Sequence, residues 1–166
     1  VGLACLLAAG GMKCHGIDVV PELVEAAKQN ASALGVGARF AASLHDLAAG
    51  GPPAGPEGAS FSIVAAKMPY MAPGSGRLPR DATRRRALFA VPDTMAIFLR
   101  GAKQALAPEG VVALIYPWDT RETLLAALKE HALSPQPLIP VHSVKGRPSR
   151  VLVLAPGTRL DGMRAE

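Results

Sequence analysis

Phe61-Ser62-Ile63-Val64-Ala65-Ala66 runs without a break into Lys67-Met68-Pro69-Tyr70. A near-continuous apolar run of this length, followed by a proline, suits a strand of a parallel sheet covered on both faces. Upstream, Ala49 to Ser60 is rich in Gly and Pro and reads as a surface loop. Before it, Lys13 to Ile17 is a short strand ending at Asp18, and Pro21 opens a helix with Glu22 and Glu25 near its positive end. Leu23, Ala27, Ala31 and Leu34 fall at helical spacing, Gly35 closes the helix, and Ala38 to Ala42 forms a second strand. Gly2 to Ala9 is expected as a buried helix stopped by Gly10-Gly11, too short to span a bilayer.

Downstream, Met71 to Asp81 reads as a second loop, followed by a basic helical region with the stripe Met95, Ile97, Phe98, Ala102, Leu106. Pro108-Glu109-Gly110 turns into a strand from Val111 to Tyr116. Asp119 and Glu122 have the spacing of a capping box for a helix through His131. Leu138 to Val144 and Arg150 to Leu154 are strands joined by Lys145-Gly146-Arg147-Pro148, a turn so short that this pair alone must be antiparallel. Pro140 favours a bulge or an edge position. Alternation of strand and helix predicts an α/β fold, a doubly wound, mostly parallel, Rossmann-like sheet with an antiparallel C-terminal hairpin.

The composition fits one domain. The chain has 166 residues, 49% apolar and 19% charged, which excludes disorder driven by charge excess. One domain over residues 1–156 and a polar tail over 157–166 are expected. The net charge of +5 permits a polyanionic partner. Cys5 and Cys14 match no zinc or disulfide spacing, and His15, His45, His131 and His142 share no ligand spacing. A cytoplasmic monomer with no metal and no membrane partner is expected.

Ligands of doubly wound sheets sit beyond the carboxyl ends of the strands, where Asp18 and Lys67–Tyr70 fall. A carboxylate at that position can accept bonds from both hydroxyls of a ribose, or simply be a solvated loop group; the two readings stand equal. Pro69-Tyr70 could support a flipped-out base by stacking, although such a dipeptide is commonly an ordinary turn. Arg77, Arg80, Arg84, Arg85 and Arg86, with Lys145, Arg147 and Arg150, could grip phosphates or form a solvated face.

Taken together these motifs resemble a known family. Gly16-Ile17-Asp18-Val19-Val20-Pro21-Glu22-Leu23-Val24 is similar to the second-strand motif of class I S-adenosylmethionine (SAM) methyltransferases. Phe61 to Tyr70 resembles the strand that ends in Asn-Pro-Pro-Tyr in amino-methylating members. Met71-Ala72-Pro73-Gly74-Ser75-Gly76-Arg77 and the hairpin Val141 to Val153 resemble bacterial methyltransferases that modify an adenine amine next to the anticodon of a valine tRNA. The resemblance implies SAM as cofactor, tRNA as partner, and methyl transfer to an adenine amine. It places Lys67, Met68, Pro69 and Tyr70 at the catalytic motif, Gly2, Asp18 and Ser43 at the cofactor, and Arg77, Arg84, Arg85, Arg86, Lys145 and Arg147 on RNA. Enzymes that methylate protein glutamine or rRNA guanine carry the same tetrapeptide and are the alternative within this class.

Three departures accompany the match. The family's first strand and Gly-rich loop precede the position of Val1, with Val1-Gly2 as their last trace. Ser43 stands where an Asp usually meets the cofactor's adenine, and Asp46 lies three residues too late. Lys67 replaces the Asn whose carbonyl accepts a bond from the substrate amine; an ammonium has donors and no acceptor. Weak SAM binding and no measurable turnover are therefore expected, and a methyltransferase-like remnant or RNA-binding module without catalysis is the alternative from a different class.

Overall fold

The computed structural model describes residues 8–51, 60–71, 80–81, 85, 93–133, 138–142 and 150–154. Its contacts cluster into two compact units, Val1–Gly55 and Pro56–Glu166. Most of the expected helix over Gly2–Ala9, the loop 72–79, the hairpin turn 145–148 and the tail lie outside the described residues.

In the first unit, Ala8 and Ala9 are helical and Gly11 (φ 95°) reverses the chain, its N–H donating to the Ala8 carbonyl at 3.1 Å. Strand β1 (Cys14–Asp18) pairs in parallel with β2 (Phe40–Leu44), and helix α1 (Pro21–Ala33) connects them. The C-terminus of α1 is fixed by two reverse bonds, Gly35 N–H to Ser32 carbonyl and Val36 N–H to Ala31 carbonyl. That arrangement puts Gly35 at φ 66°, where a side chain would be strained. The buried stripe of α1 is Val24, Ala27 and Ala31, whereas Leu23 and Leu34 are 37% and 56% exposed. The expected stripe was thus one residue out of phase at Leu23, because the small alanines face the sheet and the bulky leucines flank them. Ala8, Ala27, Ala31, Val36 and Phe40 form the core of this unit.

The second unit holds a four-stranded sheet in the order β3 (Phe61–Lys67), β4 (Leu106–Pro117), β6 (Arg150–Leu154), β5 (Leu138–Val141). β3 and β4 are parallel. β6 runs antiparallel to both β4 and β5, so the expectation of a single antiparallel pair is corrected. The short connection fixed the β5–β6 pairing, but it could not show that β6 inserts between β4 and β5. β5 is one of the two edge strands of the described sheet, with β3 the other, and Pro140 there needs no ladder bond on its open side. Its described extent ends at Val141 rather than Val144.

β4 begins at Leu106, earlier than expected, and the pairing jumps from Phe61↔Leu106 to Ile63↔Val111. The turn residues Pro108-Glu109-Gly110 are the bulge that this jump requires. A Cβ on Gly110 would lie 2.9 Å from the Phe61 carbonyl oxygen, so only glycine fits there.

Helices α2 (Thr94–Ala105) and α3 (Arg121–Glu130) follow β3 and β4 in the chain. α2 buries Leu99 completely, with Met95, Phe98 and Leu106 packed beside it. The capping box is corrected: Thr120 occupies the N-cap of α3 without a side-chain cap bond, and Asp119 lies in the preceding turn Trp118–Thr120. The Thr120 hydroxyl donates instead to the Pro117 carbonyl at 3.3 Å. At the other end, Ala132 adopts φ 53° so that Leu133 N–H can reach the Leu128 carbonyl at 2.8 Å. This left-handed alanine costs about 1–2 kcal/mol, and the burial of Leu133 holds it in place.

Candidate functional site

Asp18 ends β1, two residues before the extended Val20 at the N-cap of α1. Its Oδ1 accepts the Val20 N–H at 3.1 Å, and its carbonyl accepts the His45 N–H at 2.9 Å. The first bond fixes the carboxylate on the strand end; the second ties that end to the chain leaving β2. Among the described residues Oδ2 makes no hydrogen bond, so one oxygen of the fixed carboxylate is available to a hydroxyl donor.

Ser43 lies on β2 opposite Ile17, and its Oγ is 2.9 Å from Nε2 of His15. Burial lowers the pKa of His15 below its ordinary value of 6.5. A protonated imidazole would be the poorer fit, so the stability this group contributes is present above pH 6.5 and lost as pH falls through the lower folded value. Thermal melts at stepped pH are expected to show this acid-side loss, and His15→Gln to flatten it. An unchanged profile in the variant would assign the loss to other groups.

His45 carries a buried Nε2 with no hydrogen-bond partner among the described residues. No sequence pattern singled out His15 or His45, because their placement beside Ser43 and Asp18 depends on the β1–β2 register. Asp46 is exposed and takes the Ala48 N–H at 2.9 Å in a local turn.

In the second unit, Lys67 is the last residue of β3, opposite Ile115 on β4. Its ammonium is exposed and lies 5.5 Å from the centroid of the Tyr70 ring. Tyr70 in turn meets Tyr116 edge to face, with centroids 6.3 Å apart and planes at 76°. Tyr116 is buried, and that burial raises its pKa, with a Thr120 hydrogen bond pulling the other way. Met68 is fully buried in the core formed with Leu99, Leu114, Leu124 and Leu128. Its side chain therefore supports the segment from below, and only its backbone can serve a ligand.

Among the RNA candidates, Arg85 is exposed and helical, its N–H bonded to the Asp81 carbonyl at 3.0 Å. Gly2, Arg77, Arg84, Arg86, Lys145 and Arg147 lie outside the described residues. Within the second unit a concavity of about 320 Å³ lies at the opposite end of β4, between Lys103, Leu106, Pro108 and Leu133, and holds none of the candidate residues. Among the described residues no helix is long and apolar enough to cross a membrane.

No family model matches the chain. A curated relative, the tRNA1(Val) (adenine(37)-N6)-methyltransferase of Parabacteroides distasonis, is 29% identical over 101 residues, which cover 59% of this chain and 40% of the relative. The chain thus spans well under half of that relative's length. A TehB-like SAM-dependent methyltransferase from Corynebacterium glutamicum superposes with a TM-score of 0.63 at 13% identity, covering 94% of this chain and 74% of the other. The glycopeptide N-methyltransferase MtfA, in its complex with SAM, gives a TM-score of 0.60 at 13% identity over 94% of this chain and 82% of its own.

Proposed function

We propose that this chain, whose fold is that of the class I SAM-dependent methyltransferases, binds SAM and carries a site of the kind that methylates the exocyclic amine of an adenine in tRNA, with Lys67 in place of the acceptor that turnover needs. The observation that carries the cofactor reading is the Asp18 carboxylate, fixed at the end of a parallel strand with one oxygen left over. SAM, when bound, supplies an electrophilic methyl group on a sulfonium. Asp18 suits the ribose hydroxyls, because a carboxylate only accepts and the hydroxyls only need to donate. Ser43, already held by His15, keeps acceptor or donor capacity for a second bond.

The acceptor reading rests on Lys67–Tyr70 and on the distant partial relative. In the proposed site Tyr70 offers a ring edge-braced by Tyr116, on which a flipped base can stack. The basic residues Arg77, Arg84, Arg85, Arg86, Lys145 and Arg147 are proposed to hold RNA phosphates. A second reading, an RNA-binding protein that transfers nothing, is favoured by Lys67, since its ammonium stands where an acceptor is needed.

Calorimetry with millimolar SAM tests the cofactor reading. Asp18→Ala is expected to weaken binding by about 10- to 100-fold, the cost of losing a charged acceptor. Equal affinity in the variant would remove Asp18 from the cofactor site.

A further inference from the structure

Beyond β4 the chain turns through Trp118–Thr120 into α3. There the Arg121 guanidinium lies over the Trp118 ring, with Cζ 4.8 Å from the centroid. Nη1 donates to the Trp118 carbonyl at 3.2 Å, and Nε sits 3.4 Å from Glu122 Oε1. Two edges of the guanidinium are thereby engaged and its plane is fixed, while the side chain remains 35% exposed. A group held in this way has spent hydrogen-bonding capacity and kept a flat, cationic surface. That surface suits a planar, electron-rich ligand better than a lone carboxylate, whose charge Glu122 already opposes.

The neighbouring pair repeats the chemistry. Tyr116, two residues before Trp118, contacts Tyr70, and Tyr70 carries the Lys67 ammonium. The register Lys67↔Ile115 places both cation–ring pairs at the carboxyl end of β3 and β4. Rings interleaved with cations are what a single strand of nucleic acid needs, because its bases stack and its phosphates seek positive charge.

We infer that Trp118 and Arg121 form a stacking post for one base of single-stranded RNA, with the Lys67 ammonium beside the RNA backbone. The inference rests on the RNA reading above and adds to it two contact residues that the catalytic motif does not include. The base extends the stack over the guanidinium of Arg121, which Trp118 has already oriented, so little further ordering is required on binding.

The test uses a labelled ten-nucleotide oligoadenylate, followed by anisotropy and by the emission of Trp118, the single tryptophan of the chain. Oligoadenylate is expected to change that emission, and Arg121→Ala to weaken binding by about five- to thirtyfold. Arg121→Lys keeps the charge and loses the plane, and is expected to recover less than half of that loss. Lys67→Gln is expected to reduce the log–log salt slope by about 0.7, the value of one phosphate contact on a single strand. Full recovery in Arg121→Lys would make the residue a point charge and overturn the stacking post. So would a parent chain that binds no RNA, whereas the SAM titration of Asp18→Ala judges the cofactor reading independently. Far-UV spectra control for folding, and the Arg121→Lys comparison stands even where Arg121→Ala fails to fold.

Discussion

Labelled methyl transfer from SAM to tRNA is expected to stay at background with this chain. SAM, if bound, would supply the methyl carbon to an acceptor nitrogen whose lone pair faces it, the departing sulfur keeping the C–S electrons. Positive charge builds on the nitrogen until its proton leaves. An acceptor beside that nitrogen would steady the charge, and a cation does the reverse. Two unit positive charges about 4 Å apart repel by about 4 kcal/mol at an effective dielectric near 20, which is about a thousandfold in rate. Lys67 is exposed, ends β3 and rests on Tyr70, the ring proposed to stack the acceptor base. In the proposed site it would therefore repel the developing charge and occupy space above the ring. Turnover above background that Asp18→Ala abolishes would overturn this role for Lys67 and favour the enzyme reading over the binding one.

Met68→Ala is expected to destabilise the second unit by about 2–5 kcal/mol, the range for removing a large buried apolar side chain. Domains of this size have about 5–15 kcal/mol in total, so a large part of the stability is at stake. Met68 has no exposed surface and packs with Leu99, Leu114, Leu124 and Leu128. Met68→Pro, which would bring the segment nearer to Asn-Pro-Pro-Tyr, removes most of the same contacts and is expected to fall in the same range. Denaturant melts check both. A loss below about 1 kcal/mol would mean that the core refills the space, and that the residue is tolerated rather than required.

The candidate site was only partly legible. Asp18 and Lys67–Tyr70 were found because a strand end is marked locally, by the last apolar residue and the polar or proline residue after it. The partners that give these residues their chemistry were not legible: His15 beside Ser43, His45 beside the Asp18 backbone, and Arg121 over Trp118. Spacing rules had set the four histidines aside, since no two of them share a ligand pattern. The cation on the Trp118 ring was invisible until α3 was placed.

By itself the sequence determined the α/β class, the parallel β1–α1–β2 unit, the existence of strand β3, the glycine stop at Gly35 and the strand ends that carry Asp18 and Lys67. Each of these depends on residues within a few positions of one another, through periodicity, backbone freedom or a missing N–H. The expected cover on both faces of β3 is corrected, since none of its residues is buried and Ile63 is exposed. Tertiary structure alone decided that β6 inserts between β4 and β5, that Pro108-Glu109-Gly110 forms a bulge, and that Val24 rather than Leu23 faces the core. It also turned Met68 inward and brought Lys67, Tyr70 and Tyr116 into one chain of contacts. Those outcomes follow from the register between strands distant in sequence and from which side chains fill the space between layers. Local pattern carries no record of either.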